Sequence, residues 1–175
     1  LSEAKPNALV GFLVILLAIF GVSSATLAAV LNHMDTPRFI ASFSTKKVTL
    51  PEFLEGKLKS AILIDVRSPE EYAEDRIGNS LLVPLTDIQA GFGVQQIRVI
   101  AQRYIQNNHT QPIIVLYCTR GMRAVKAYKE LRKTRLNFVV LEGGIKSWRL
   151  AVPASKDAEI LAQITAPGTK IITGN

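Results

Sequence analysis

Short apolar runs that alternate with helix-start signals constrain this chain more than any other feature. Ala61 to Val66, Leu81 to Pro84, Ile113 to Tyr117 and Phe138 to Leu141 are apolar on successive residues rather than on every second one. Such runs are too short for fully buried helices and fit strands covered on both faces. The segments between them carry helical signals. Ser68-Pro69-Glu70-Glu71 combines an N-cap, a proline at the first helical position and the glutamate of a capping box. Ile97, Ile100, Ala101, Tyr104 and Ile105 recur at helical spacing within Val94 to Gln106, and Ala124 to Thr134 and Ile145 to Leu150 read as two further helices. A shorter one opens at Thr49-Leu50-Pro51-Glu52, with Phe53, Leu54 and Leu58 as its apolar face. Strands alternating with helices predict an α/β domain: an open parallel sheet flanked by helices on both faces.

A different signal lies ahead of that domain. Ala8 to Leu31 holds no charged residue. At about 1.5 Å per residue a helix of this length reaches roughly 36 Å, enough to cross a hydrocarbon core of about 30 Å. The segment accounts for a mean hydropathy of +0.22, high for a soluble domain. A cleaved signal peptide is the competing reading, but the run is longer than a typical signal h-region. A single-pass transmembrane helix in contact with the lipid bilayer is therefore expected. Lys5 and Glu3 precede it, whereas His33, Asp35, Arg38, Lys46 and Lys47 follow. That positive bias points to a domain on the cytoplasmic side, or in an equivalent compartment such as a stroma. The expected organisation is an N-terminal stub (1–7), the membrane helix (8–31), a juxtamembrane linker (32–47), the α/β domain (48–153) and a C-terminal tail (154–175). A helix is expected in the tail at Asp157 to Ile164; the tail either docks onto a partner or is disordered.

Twenty-one basic against 14 acidic residues give a net charge of +7. Part of it is local: Arg123, Lys126, Lys129, Arg132, Lys133 and Arg135 face only Glu130. A solvated helix face is one account, and attraction of small anions or anionic lipid head groups is the other. Nothing in the chain resembles an aromatic-interleaved nucleic-acid surface, so no nucleic-acid partner is expected. A single cysteine excludes an intramolecular disulfide and a cysteine-rich metal site. No metal and no dissociable cofactor is expected.

That cysteine, Cys118, stands where the Ile113–Tyr117 run stops, and Thr119-Arg120-Gly121-Met122-Arg123 leads into the next helix. The carboxyl ends of parallel strands are where ligands bind in open α/β sheets. Loop N–H groups and the positive end of a helix favour an anion such as a thiolate there. Three separated motifs now converge. Asp65-Val66-Arg67-Ser68-Pro69-Glu70-Glu71-Tyr72 places an Asp-x-Arg at a strand end before a capped helix. Cys118 is followed by Gly121 three positions on and Arg123 five positions on. Leu141-Glu142-Gly143-Gly144-Ile145-Lys146-Ser147-Trp148 ends the domain. In order and spacing these resemble the signatures of the rhodanese (sulfurtransferase) family over roughly Val48 to Pro153. One stretch departs: the family's His-Ile-x-Gly-Ala turn reads Arg76-Ile77-Gly78-Asn79-Ser80 here.

The resemblance implies a mechanism. Cys118 would take the outer sulfur of a small anionic donor such as thiosulfate, become a covalent persulfide, and pass that sulfur to an external thiol or to cyanide. Thr119, Arg120, Gly121, Met122 and Arg123 would bind the donor, with the two guanidinium groups supplying positive charge in planar, multi-donor form. Gly121 would let the backbone curl around the sulfur. Asp65 and Arg67 would support the loop as an internal pair, Trp148 would pack, and Glu142 would cap or pair. Without a second cysteine in the chain the persulfide needs an outside acceptor.

Rival chemistries fit less well. Related phosphatases and arsenate reductases place the arginine six positions after the cysteine, whereas here the spacing is five. A Cys–His hydrolase lacks its base: His33 lies before the domain, and the strand puts His109 on the order of 20 Å from Cys118. A reading of another class remains: a non-catalytic accessory or scaffold subunit of a membrane protein complex, in which the fold serves recognition.

Overall fold

The structure is a computed structural model and describes residues 45–164. The elements run in the order β1 (Lys47–Val48), α1 (Leu50–Leu54), β2 (Ala61–Asp65), α2 (Pro69–Glu74) and β3 (Leu81–Leu82). There follow α3 (Leu85–Gln89), α4 (Phe92–Asn108), β4 (Ile113–Tyr117), α5 (Met122–Leu131), β5 (Asn137–Leu141) and α6 (Gly144–Ala151). A 3-10 turn at Ala154–Lys156 leads into α7 (Asp157–Ile164). The sheet has the strand order β1-β5-β4-β2-β3, and every neighbouring pair is parallel. This is the expected α/β architecture.

Each central strand feeds two cores because its successive side chains point to opposite faces. On one face Ile62, Ile64, Ile114, Leu116, Phe138 and Val140 meet Ile97, Ala101 and Tyr104 of α4 and Ala124, Ala127 and Leu131 of α5. On the other, Leu63, Val115, Tyr117 and Leu141 meet Phe53 of α1, Ile145 and Trp148 of α6, and Leu161 and Ile164 of α7. The Phe53 and Trp148 rings lie 6.0 Å apart, tilted by 51°. The expected capping box at Ser68 is formed, and a second one is found at Thr49. Thr49 and Glu52 close the start of α1, and Ser68 and Glu71 close the start of α2.

The structure adds elements that the residue pattern does not announce. Lys47, assigned to the linker, lies in β1 and pairs with Val140 of β5. Two residues are too few to show a strand period. Helix α3 buries only Ile88, so its apolar signal is equally thin. The C-terminal helix at Asp157–Ile164 is present, and it rests on the domain's own core rather than standing free for a partner.

The proposed membrane helix (8–31), the stub before it, residues 32–44 of the linker and residues 165–175 of the tail lie outside the described residues. Among the described residues, no helix is long and apolar enough to cross a membrane.

The Tyr104 ring is 1% exposed, and its hydroxyl has no hydrogen-bond partner among the described residues. A buried unsatisfied hydroxyl costs on the order of 1–3 kcal/mol. Tyr104→Phe is therefore expected to leave stability unchanged or raise it by up to about 1 kcal/mol. A urea unfolding midpoint below that of the unmodified chain would contradict this.

Candidate functional site

The site is built at the carboxyl ends of β2 and β4, which lie side by side: Asp65 pairs with Tyr117, and the Val66 N–H donates to the Tyr117 carbonyl at 3.0 Å. Cys118 therefore emerges next to Val66 and Arg67. Its residue surface is only 2% exposed, and the Gly121 N–H donates to its sulfur at 3.1 Å. Gly121 has φ +102°, a conformation that side-chain-bearing residues rarely adopt, and it is the N-cap of α5. The chain thus turns sharply enough for an amide three residues on to meet the thiol.

Helix α6 holds the loop from behind. The Ile145 N–H donates to the Cys118 carbonyl at 2.9 Å, and the Lys146 N–H donates to the Thr119 carbonyl at 3.2 Å. Orphan donors at a helix start are satisfied in this way by the loop's own carbonyls. The approach is close enough to require Gly144, where a Cβ would fall 2.1 Å from the Cys118 carbonyl oxygen. The Gly-Gly pair read in the sequence thus acts on the cysteine loop directly.

Asp65 and Arg67 form the expected internal pair, with the Asp65 side chain fully buried and that of Arg67 6% exposed. The Arg67 backbone N–H donates to Asp65 Oδ1 at 2.9 Å, and its Nη2 donates to Oδ2 at 2.6 Å. Nη2 also donates to the Asp75 carbonyl, and the guanidinium stands 5.9 Å from the centre of the Tyr117 ring. Tyr117 extends the support. Its hydroxyl accepts from the Ile77 N–H at 3.2 Å and shares a hydrogen bond with Ser80 Oγ at 2.6 Å. The Arg76–Ser80 stretch, where the motif departs from the family pattern, is thereby anchored under the loop. Arg76 itself lies over the Tyr72 ring at 5.1 Å.

The two loop arginines differ. Arg120 is exposed, and its guanidinium has no hydrogen bond or ion pair among the described residues. Arg123 is half-buried and grips Glu71 with both terminal nitrogens, at 2.5 and 2.7 Å, while Nη2 also donates to Thr119 Oγ1 at 2.8 Å. Thr119 Oγ1 in turn donates to Glu71 Oε1 at 2.9 Å. Hydrogen bonding to Glu71, working against burial, keeps Arg123 firmly cationic, and proximity to the Cys118 sulfur adds to this. Met122 is half-buried at the start of α5.

Glu71 is the site residue that motif reading missed. Its capping-box role is visible in sequence, but its tie to Arg123 spans 52 positions and leaves no local signal. The Arg123 hydrogen bonds hold its carboxyl far down, to about 2, with Thr119 and the Ser68 N–H contributing in the same direction. A depressed carboxylate contributes stability above its ordinary value of 4.5 and loses that contribution as pH falls toward about 2. Glu71→Gln is expected to lower stability at neutral pH by about 1 kcal/mol, a modest figure because the pair is partly exposed to solvent. The variant should also lose less stability than the unmodified chain between pH 5 and pH 3. Guanidinium melts at both pH values check this; parallel losses in the two proteins would contradict it.

A cleft of about 280 Å³ opens beside Arg123 and Arg67, with Ser68, Leu85, Thr86 and Asp87 among its lining. Among the described residues no group of His, Cys, Asp and Glu is arranged to hold a metal ion.

Comparison with known proteins fits this geometry. The Rhodanese-like domain profile matches residues 50–151, more than half of the chain. The chain belongs to the rhodanese-like domain family. Among curated relatives, a probable molybdopterin-synthase adenylyltransferase of Pyropia yezoensis is 31% identical over 102 residues, 58% of this chain and 24% of that protein. The chain thus spans about a quarter of that relative's length. The uncharacterized protein YqhL of Bacillus subtilis (strain 168) is 31% identical over 112 residues, 63% of this chain and 78% of that protein. A solved yeast structure, described as a protein tyrosine phosphatase of the rhodanese family, superposes with a TM-score of 0.51 at 13% identity, covering 65% of this chain and 90% of that one. At that identity it shares the fold alone. In this rhodanese-like domain the Asp-x-Arg and Gly-Gly segments come together beside the Cys118 loop.

Proposed function

We propose that this rhodanese-like domain is a sulfurtransferase with Cys118 as the sulfur carrier. The observation that carries the reading is the Gly121 N–H aimed at the Cys118 sulfur at 3.1 Å, inside a loop whose arginine follows the cysteine by five residues. An amide pointed at the sulfur stabilises negative charge on it before and after sulfur is added. In the first half-reaction the Cys118 thiolate attacks the outer sulfur of a thiosulfate-like dianion. A new S–S bond forms, the donor's S–S bond breaks, and sulfite leaves with the electron pair. In the second, an external thiolate or cyanide attacks the outer sulfur of the persulfide, and the Cys118 thiolate departs. Arg120, exposed and unpaired, is the group available to draw in the dianion. Arg123, already bound to Glu71, shapes the loop and adds charge from its wall. Residues 8–31, as a membrane helix, would hold this chemistry beside a bilayer with the domain on its cytoplasmic or stromal side.

Intact mass after incubation with thiosulfate tests the proposal. The expected result is a gain of one sulfur atom, reversed by a thiol reductant. A chain that stays at its unmodified mass under these conditions is not a sulfur carrier.

One observation favours a second reading, the non-catalytic accessory subunit of a membrane complex. Arg123 spends its donors on Glu71 and Thr119, leaving one loop arginine unpaired rather than two. On that reading the chain would co-purify with a membrane complex equally well after Cys118→Ser.

A further inference from the structure

The sulfur site occupies the carboxyl ends of the strands, but most of the chain's positive charge lies elsewhere. Apart from Arg120 and Arg123 of the sulfur loop, seven basic residues and one acidic residue fall between Phe92 and Leu136. Part of this charge gathers at the opposite end of the sheet, where α4 passes the segments that lead into β4 and β5. A cleft of about 480 Å³ opens there, lined by Arg98, Gln102 and Ile105 of α4, by Gln111, and by Lys133 to Leu136. That size falls within the range of small-molecule sites. Along β4, about 17 Å of strand separates Gln111's end from Cys118.

The charges in this cleft differ from the three guanidinium groups that the domain buries or half-buries. Arg67, Arg123 and Arg149, the buried or half-buried guanidinium groups, each hold a carboxylate. Arg98, Lys133 and Arg135 hold none: no carboxylate lines the cleft, and none of the three makes an ion pair among the described residues. The Gln102 and Gln111 amides are likewise without hydrogen-bond partners among the described residues, and Thr134 Oγ1 turns to the Leu131 carbonyl at 2.7 Å. Ala101, Ile105 and Leu136 supply an apolar wall. Arg98, Lys133 and Arg135 are exposed, and three like charges from two segments, beside exposed amide donors and an apolar wall, make a cleft that attracts an anion. Planar guanidinium groups suit phosphate oxygens, and the ammonium adds a point charge.

We propose that this cleft binds a phosphate-bearing anion, held by Arg98, Lys133 and Arg135, at a site separate from Cys118. Two sources carry that chemistry: a soluble phosphorylated molecule and an anionic phospholipid head group. β1 runs parallel to β5, so Thr45 lies toward the end of the sheet where β5 begins, the end that carries the cleft.

The test measures the acetylation rate of Lys133 by an amine-reactive ester, read by mass spectrometry against Lys156, with the full chain. One arm adds inorganic pyrophosphate to the detergent-solubilised chain. The other compares nanodiscs of phosphatidylcholine with and without phosphatidylglycerol. At a probe concentration about ten times its dissociation constant, Lys133 acetylation should slow by roughly tenfold while that of Lys156 is unchanged. Protection by pyrophosphate alone assigns a soluble ligand, and protection by phosphatidylglycerol alone assigns the lipid. The double variant Arg98→Gln/Arg135→Gln should lose the protection and keep the thermal midpoint of the unmodified chain. No slowing with either probe, equal slowing of Lys156, or full protection in the double variant would overturn the proposal.

Discussion

Replacing Cys118 by serine is expected to abolish sulfur transfer, lowering thiosulfate-to-cyanide turnover by about four orders of magnitude or to background. The hydroxyl is nearly isosteric, so the fold should persist. It cannot form the sulfur–sulfur bond on which both half-reactions rest. Donor binding is expected to survive, because the Gly121 amide, Arg120 and Arg123 are unchanged. The pattern to look for is therefore loss of turnover and of the mass adduct, with thiosulfate still protecting the loop in hydrogen exchange. Turnover that survives the substitution would remove Cys118 from the chemistry. Absence of turnover in the unmodified chain, with a membrane complex retained by both proteins, would favour the accessory reading.

Asp65→Asn is expected to be the most damaging substitution outside the cysteine itself. Asp65 is fully buried, and Arg67 is the buried cation that it neutralises through backbone and side-chain hydrogen bonds. Removing one partner of such a pair strands the other charge and costs about 3–5 kcal/mol, out of a total of about 5–15 for a typical domain. The guanidinium midpoint should fall accordingly. Should the single variant fail to fold, Asp65→Leu/Arg67→Met separates the causes. With no charge left to strand, the double variant should recover much of the loss. A single variant that loses less than about 1 kcal/mol would show that Arg67 reaches solvent or another acceptor on its own.

The sheet was legible because each central strand is apolar on both faces, a property carried by four or five consecutive residues. The capping box at Ser68 was legible for the same reason: cap and glutamate are three positions apart. The cysteine loop was legible by its spacing, since Cys118, Gly121 and Arg123 are near neighbours. What escaped depends on residues far apart in the chain. Glu71 announces itself only as a capping residue, yet the fold hands its carboxylate to Arg123. The double glycine at 143 and 144 reads only as part of the closing motif, while Gly144 lets α6 approach the Cys118 carbonyl. Lys47 and Val48 are too short a strand, and Ile88 too lone a contact, to leave a period that a residue pattern can register.

The last helix was legible at Asp157 to Ile164, but its hold on the domain was not, because that hold is polar as well as apolar and joins residues far apart in the chain. Asp157 accepts from the Trp148 indole at 2.8 Å, from the Gly78 N–H at 2.8 Å, and from Arg149 at 2.7 and 2.8 Å; Arg149 also grips Asp75. Burial opposes ionisation of Asp157, but Arg149 and Trp148 outweigh it and hold its carboxyl below the usual range. The family match stops at residue 151, ahead of all of this. A fragment trimmed to that boundary would leave the Trp148 indole without its acceptor and Arg149 without one of its two carboxylates. The same α6 carries the amides that fasten the Cys118 and Thr119 carbonyls. The packed domain thus extends beyond its family signature, and its reactive loop is tethered, through one helix, to residues that the signature does not contain.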